Sequence, residues 1–191
     1  MKEFFFVTLL KRLCLGIDFC NLWIGRAVSW LVVLLVMLVF ANVLMRYCLQ
    51  TSFVFLQELE WHLFAVIFLL GGGYALLKEG HVRVDIIYQR LDARRRAWIN
   101  LLGVLFLLMP GCWLVIATGL PFAVTAWTMG EGSPDPGGLP YRFVLKATLA
   151  VAFFLMALQG LSLGVKSGLQ LAGVPIAQGR GEPAKERSDG R

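Results

Sequence analysis

The chain has 191 residues, of which 58% are apolar and 16% are charged, and its formal net charge is +6. Soluble domains carry roughly 25% charged residues, so this composition excludes an ordinary soluble fold and favours a membrane protein. The length allows about four spanning helices with short connections, which leaves no space for a separate catalytic domain.

Residues 1–25 are predicted to form an amphipathic helix that lies in the membrane interface, with its apolar side in the acyl chains. Lys11 and Arg12 in the middle of this segment exclude a further span, because ionised side chains are costly inside a bilayer. The apolar face comprises Phe6, Leu9, Leu10, Leu13, Ile17, Cys20 and Ile24, and the polar face Thr8, Lys11, Arg12 and Asp18.

A membrane domain is predicted over residues 26–170, since four stretches in it lack formal charges over most of their length. The predicted spans are residues 27–46, 55–78, 97–120 and 143–166. In the third, Pro110 is expected to kink the helix, and residues 121–130 are expected to run out at the interface. Asn42 and Gln159 are expected to bond across helices. Residues 171–191 are predicted to be a polar, disordered tail.

The distribution of Lys and Arg predicts the orientation, because basic residues stay on the cytoplasmic side. Fifteen of them lie in the amino-terminal segment, the 78–96 loop and the tail, against three in the other connections. Both termini are therefore predicted to be cytoplasmic, in a protein that crosses the membrane four times.

Glu58 and Glu60 stand in the first turns of the second span, where carboxylates are expensive to bury and usually face a partner or a cavity. Two residues apart on a helix, they point in different directions, whereas Glu58 and His62 share a face. Glu58 is expected to contact another subunit or Arg46; the alternative is a carboxylate that remains in contact with headgroup water.

Gly71, Gly72 and Gly73 lie in the middle of a predicted span, so we interpret them as a packing face and not as a phosphate-binding loop. The connection 131–141 holds three prolines and three glycines, which predicts a stiff, non-helical loop. It either docks a soluble partner or is a simple turn.

His81, Arg83 and Asp85 begin the loop that follows the second span. A proton relay would need further ionisable groups deeper in the membrane, and a metal site would need more ligands than two histidines. We therefore favour a structural cluster in which Asp85 pairs with His81 or Arg83. The four cysteines form no CxxC pair, and no nucleophile with a base emerges, so neither a cofactor nor an enzyme is predicted.

Several short motifs together resemble the small membrane subunit of tripartite ATP-independent periplasmic (TRAP) transporters. The similarity runs over residues 23–168. The motifs are Arg46-Tyr47, Leu56-Gln57-Glu58 with Trp61, Gly71, the run Gly80-His81-Val82-Arg83-Val84-Asp85, and Gly137-Gly138-Leu139-Pro140.

The resemblance implies a multi-pass subunit of the bacterial inner membrane. It would work with a larger many-helix permease and a periplasmic substrate-binding protein, in sodium-coupled uptake of a small organic acid. The larger subunit would move as an elevator, with this chain as a fixed scaffold among membrane lipids. The resemblance assigns subunit-interface or structural roles, without substrate contacts, to Arg46, Glu58, Trp61, Gly71, Gly72, His81, Arg83 and Asp85.

Two other classes of function remain open from the sequence. A membrane-anchor subunit of a respiratory enzyme would hold haem or quinone, but His62 and His81 are predicted near opposite membrane faces and cannot form a bis-histidine haem site. An independent channel or exporter would transport substrate without other subunits.

Overall fold

The computed structural model describes residues 2–78 and 91–174, and the regular secondary structure in these ranges is helical. Helices that are long and apolar enough to cross a membrane occur four times in them, which confirms the predicted all-helical architecture. The helices are α1 (Lys2–Cys48), α2 (Val54–Leu77), α3 (Ala93–Gly103), a π-helical segment (Val104–Leu108), α4 (Met109–Thr128) and α5 (Phe143–Leu171). From residue 175 onward, the predicted tail lies outside the described residues.

An interfacial helix over residues 1–25 and a separate first span from residue 27 were expected. In the structure α1 runs through both without a break. Its 47 residues correspond to about 70 Å at 1.5 Å per residue, more than twice the thickness of a bilayer core. The junction contains no proline, and Gly25 sits against the Tyr74 ring of α2, so a continuous helix fits there. The interfacial position of residues 1–25 stays a prediction.

The third span is longer than predicted, since α3, the π-helical segment and α4 follow one another from Ala93 to Thr128. The helix passes through Pro121 and ends eight residues later than the predicted residue 120. The position of residues 121–130 at the interface stays a prediction. The π-helical segment ends at Leu108, two residues before Pro110. A proline ring clashes with the carbonyl four residues earlier, and the wider π-helical turn gives that carbonyl space.

Helix α5 is the centre of the bundle, because it packs against α1, α2, α3 and α4. Helices α1 and α2 also pack together, whereas α3 and α4 pack extensively only against α5 among the described helices. We call the end with connections 49–53 and 129–142 the loop end, and the end where α1 begins and α5 ends the terminal end. The arrangement is open, so each span keeps a large exposed apolar surface.

Helix α1 approaches α2 closely at Gly25, which provides a first test of the packing. A Cβ at this position would meet the Cβ, Cγ and Cδ2 atoms of Tyr74, which form the rigid base of an aromatic side chain. Gly25→Ala should therefore destabilise the chain by about 1–3 kcal/mol, as overpacking does in other cores. For a chain of this size, that corresponds to a Tm lower by roughly 2–12 °C in detergent.

Gly16→Ala is the matched control, because the same helix leaves open space around that position. Equal thermal unfolding curves for the two variants would contradict the packing of α1 on Tyr74.

Candidate functional site

A buried carboxylate joins α2 to the long connection at the loop end. Glu58 is only 5% exposed. Its Oε2 atom accepts the Leu139 backbone N–H at 2.5 Å, and its Oε1 atom accepts the Ser133 hydroxyl. The Arg142 Nη2 atom lies 3.5 Å from Oε1. We call Glu58, Ser133, Leu139 and Arg142 the loop-end cluster.

The connection folds back on itself, so that Ser133 from its first half and Leu139 from its second half both reach Glu58. The Ser133 N–H donates to the Leu139 carbonyl at 3.0 Å, and the Arg142 N–H donates to the Glu131 carbonyl at 3.1 Å. Gly137 has a φ of 80°, a conformation that glycine adopts without strain. At Gly138 a Cβ would meet Ser133 and the Glu58 carboxylate. The glycine pair therefore lets the backbone turn and approach the acid.

Aromatic and basic side chains surround this cluster. The Arg142 guanidinium lies 5.8 Å from the centre of the Trp61 ring, and Trp61 stacks on His62 with ring centres 3.9 Å apart. His62 Nδ1 lies 2.6 Å from the Glu58 carbonyl oxygen one turn earlier. Arg46 is exposed in the last turn of α1.

The neighbouring carboxylate of α2 faces another helix. Asn42 of α1 donates to Glu60 Oε1 at 2.7 Å, which confirms the prediction that Asn42 bonds across helices. The different directions predicted for Glu58 and Glu60 are also observed, because one binds the connection and the other binds α1.

The side chains that contact Glu58 are Ser133 and Arg142 of the connection 129–142. The expected contact with Arg46 is not the one observed. Sequence reasoning missed Ser133 and Arg142 because they lie 75 and 84 positions away. The sequence did indicate a stiff loop over residues 131–141, and the structure shows that this loop contacts Glu58. Predicted residues His81, Arg83 and Asp85 lie outside the described residues.

The three consecutive glycines of α2 have different surroundings. A Cβ at Gly73 would meet the Asn21 side chain of α1, and one at Gly72 would meet the terminal methyl of Met156 in α5. At Gly71 no atom lies within 4 Å of the added Cβ. Gly72 and Gly73 thus serve contacts within the chain, and Gly71 leaves space on an outer face.

A second polar cluster fixes α1 to α5 at the terminal end. Asn21 Nδ2 donates to Gln159 Oε1 at 2.9 Å, and Gln159 Nε2 donates to Asp18 Oδ1 at 3.0 Å. The Ser162 hydroxyl donates to the same Asp18 oxygen at 2.9 Å, and Lys166 forms an ion pair with Oδ2. These five residues are the terminal-end cluster. They confirm that Gln159 bonds across helices, and they place Asp18 against α5.

The ion pairs of α5 mark two levels of the bundle. Lys146 binds Glu131 at 2.5 Å near the loop end, and Lys166 binds Asp18 near the terminal end. The two lysines are twenty residues apart, or about 30 Å along a helix, which equals the thickness of a bilayer core. These two ion pairs are therefore separated along α5 by about the thickness of a bilayer core.

A family model described as "Tripartite ATP-independent periplasmic transporters, DctQ component" matches residues 35–166. This match covers more than half of the chain and includes the whole loop-end cluster. The chain belongs to this family. The curated proteins and the solved structures gave no match.

Membership in the DctQ family makes the chain a component of a transporter and not an enzyme. With its four long apolar helices, it is a multi-pass membrane protein. The matched region begins after Asp18 and Asn21, so the terminal-end cluster ties the family domain to a part of α1 outside the match.

Proposed function

We propose that this DctQ-family chain is the fixed scaffold of a sodium-coupled TRAP transporter in a bacterial inner membrane, with both termini cytoplasmic. It holds a larger permease subunit that takes up a small organic acid delivered by a periplasmic binding protein. The observation that supports this proposal is that α2 and α5 are fastened to the connection at the loop end, and α1 to α5 at the terminal end. Helices that are linked at both ends suit a static role beside a moving subunit.

The site residues named from the sequence take different roles within this proposal. Glu58 and Arg142 set the shape of the connection 129–142, which faces the periplasm in the predicted orientation. Arg46 and Trp61 are exposed near that connection and are available to other subunits. Gly72 acts within the chain, and His81, Arg83 and Asp85 stay a proposed structural cluster.

The outer face of α2 is the surface that we propose for the larger permease subunit. Exposed or half-exposed residues recur there every three or four positions, which gives a continuous stripe along the helix. Gly71 is open space in the stripe, and a small residue lets a second helix approach closely. The stripe consists of Gln57, Trp61, Phe64, Phe68, Gly71 and Ala75.

Gly71→Leu should reduce recovery of the larger permease subunit by at least roughly tenfold, because the leucine fills the space that the partner helix would occupy. The measurement is a tagged pull-down of this chain from mildly solubilised membranes that contain both subunits, with quantitative mass spectrometry. Gly111→Leu is the matched control, since that glycine of α4 is equally open.

Recovery of the larger subunit by the unaltered chain supports the scaffold role. Recovery of haem or flavin subunits instead would overturn the proposed function, and equal recovery with Gly71→Leu and with the unaltered chain would overturn the proposed surface alone.

A further inference from the structure

One exposed face of α1 carries an arginine between two tryptophans. Trp23, Arg26 and Trp30 follow one another at intervals of three and four residues, so they share one side of the helix. Trp23 is 53% exposed and Trp30 is 75% exposed. Helix α1 uses another side to contact the bundle, through Gly25 and Val28.

Contacts with α2 and α5 give the level of this arginine. Gly25 lies against Tyr74, one turn before Lys78 at the end of α2. Asp18, eight residues before Arg26, is paired with Lys166. Arg26 therefore lies about 12 Å from the Asp18 level along α1, within the last turns before the terminal end of the bundle.

The side chain leans toward that end. The Arg26 guanidinium lies 5.3 Å from the centre of the Trp23 ring, one turn closer to the start of α1. This is the direction in which a long basic side chain extends to reach a headgroup layer. Trp30 covers the opposite side, toward the middle of the bilayer.

The guanidinium has no ion-pair partner in the described part of the chain, where its contact is the Trp23 ring. An arginine presents five N–H donors in a planar fork that matches two phosphate oxygens. Phosphate groups of anionic lipids lie near the ends of membrane helices, as at the end of α2 close to Gly25, and tryptophans favour the same interfacial layer.

We propose that Arg26, between Trp23 and Trp30, binds the phosphate of an anionic phospholipid in the leaflet at the terminal end. A lipid fits this face better than a helix, because the exposed rings of Phe19, Trp23 and Trp30 flank the arginine and no open glycine lies between them, whereas the stripe on α2 has Gly71. The site precedes residues 35–166, the region that matches the DctQ family model.

The test is tryptophan fluorescence of the full chain in phosphatidylcholine vesicles that contain brominated phosphatidylglycerol, compared with brominated phosphatidylcholine. Bromine quenches a tryptophan only at close range, so stronger quenching by the anionic lipid reports a bound headgroup near an indole. We expect phosphatidylglycerol to bind about fivefold more tightly than phosphatidylcholine at this site. Arg26→Gln should reduce that ratio to about one.

Two further variants show where on the chain the selective quenching arises. Arg46→Gln removes an exposed arginine at the other end of the same helix and should leave the ratio unchanged. Trp23→Phe should remove part of the selective quenching, because the reporting ring is lost. Inorganic phosphate in the buffer should not compete, and competition would show that the lipid is the wrong source of the anion. Equal quenching by the two lipids, or a ratio unaffected by Arg26→Gln, would overturn the proposal.

Discussion

Glu58→Gln is expected to loosen the connection 129–142 while the helices of the bundle stay folded. The carboxylate accepts hydrogen bonds from two donors of this connection and also faces a guanidinium. A glutamine has one acceptor oxygen, and its NH₂ group would face either the Leu139 N–H or the Ser133 hydroxyl. These donors then lose a carboxylate oxygen, and the hydrogen bonds that remain are to a neutral acceptor, which is weaker than a charged one.

The change should be visible in amide hydrogen exchange of the peptide that contains residues 133–142. Exchange at Leu139 is expected to accelerate at least roughly tenfold, because local opening releases this N–H without unfolding the rest. Peptides from the middle of α5 should exchange as before, since the variant leaves the terminal-end cluster intact.

Glu60→Gln is the control for this experiment. It changes the same functional group two positions away, and the glutamine oxygen still accepts the hydrogen bond from Asn42. Exchange at Leu139 should not change in this variant. If Glu58→Gln also left it unchanged, the connection would be held by its own backbone hydrogen bonds and not by the acid.

The four spans were predictable because the cost of an ionised side chain in a bilayer acts locally along the sequence. The predicted second and fourth spans begin within one residue of α2 and α5. Asn42 and Gln159 were also predictable as cross-helix groups, since an amide inside a span has few other ways to satisfy its hydrogen bonds.

The partners in both clusters were not predictable in the same way. The contacts of Glu58 depend on how a connection far along the chain folds back, and those of Asp18 span up to 148 positions. Periodicity assigned Asp18 to the polar side of an interfacial helix, which was expected to face lipid headgroups. In the structure Asp18 binds Gln159 and Lys166 of α5, because polar side chains can pair with each other instead of with headgroups or water.

The end of the third span was predicted too early. The predicted third span ends at residue 120, directly before Pro121, yet α4 continues to Thr128. A proline removes one hydrogen bond and is tolerated in membrane helices when neighbouring groups compensate, so proline alone does not give the end of a span. Helix α4 ends where its last backbone hydrogen bonds form. The Met129 N–H still donates to the Thr125 carbonyl, and Glu131 already belongs to the connection.

Two glycines of α2, Gly71 and Gly73, should change the stability of the chain in opposite directions when each is replaced by alanine. Gly73→Ala adds a methyl group where the Asn21 side chain already lies, and Asn21 is 1% exposed and bonded to Gln159. Either α1 must move away from α2 or the amide must leave its hydrogen bond. The expected cost is about 2–4 kcal/mol, the sum of overpacking and a lost buried hydrogen bond.

Gly71→Ala is the internal control, because its added methyl group meets open space. Alanine is a better helix former than glycine, so this variant should be neutral or more stable by up to about 1 kcal/mol. The measurement is thermal unfolding of the purified chain in one detergent, followed by the loss of monodisperse protein.

A double-mutant cycle then assigns the cost to the contact itself. Asn21→Ala removes the side chain that the new methyl group would meet, so Gly73→Ala should cost little more in that background. The coupling between the two positions should be at least about 1 kcal/mol, whereas Gly71 and Asn21 should show no coupling. Additive effects of Gly73→Ala and Asn21→Ala would mean that the glycine is needed for something other than the approach of α1. A coupled pair would show that the terminal-end cluster and the small-residue face of α2 form one packing unit, which fixes where the long first helix crosses the bundle.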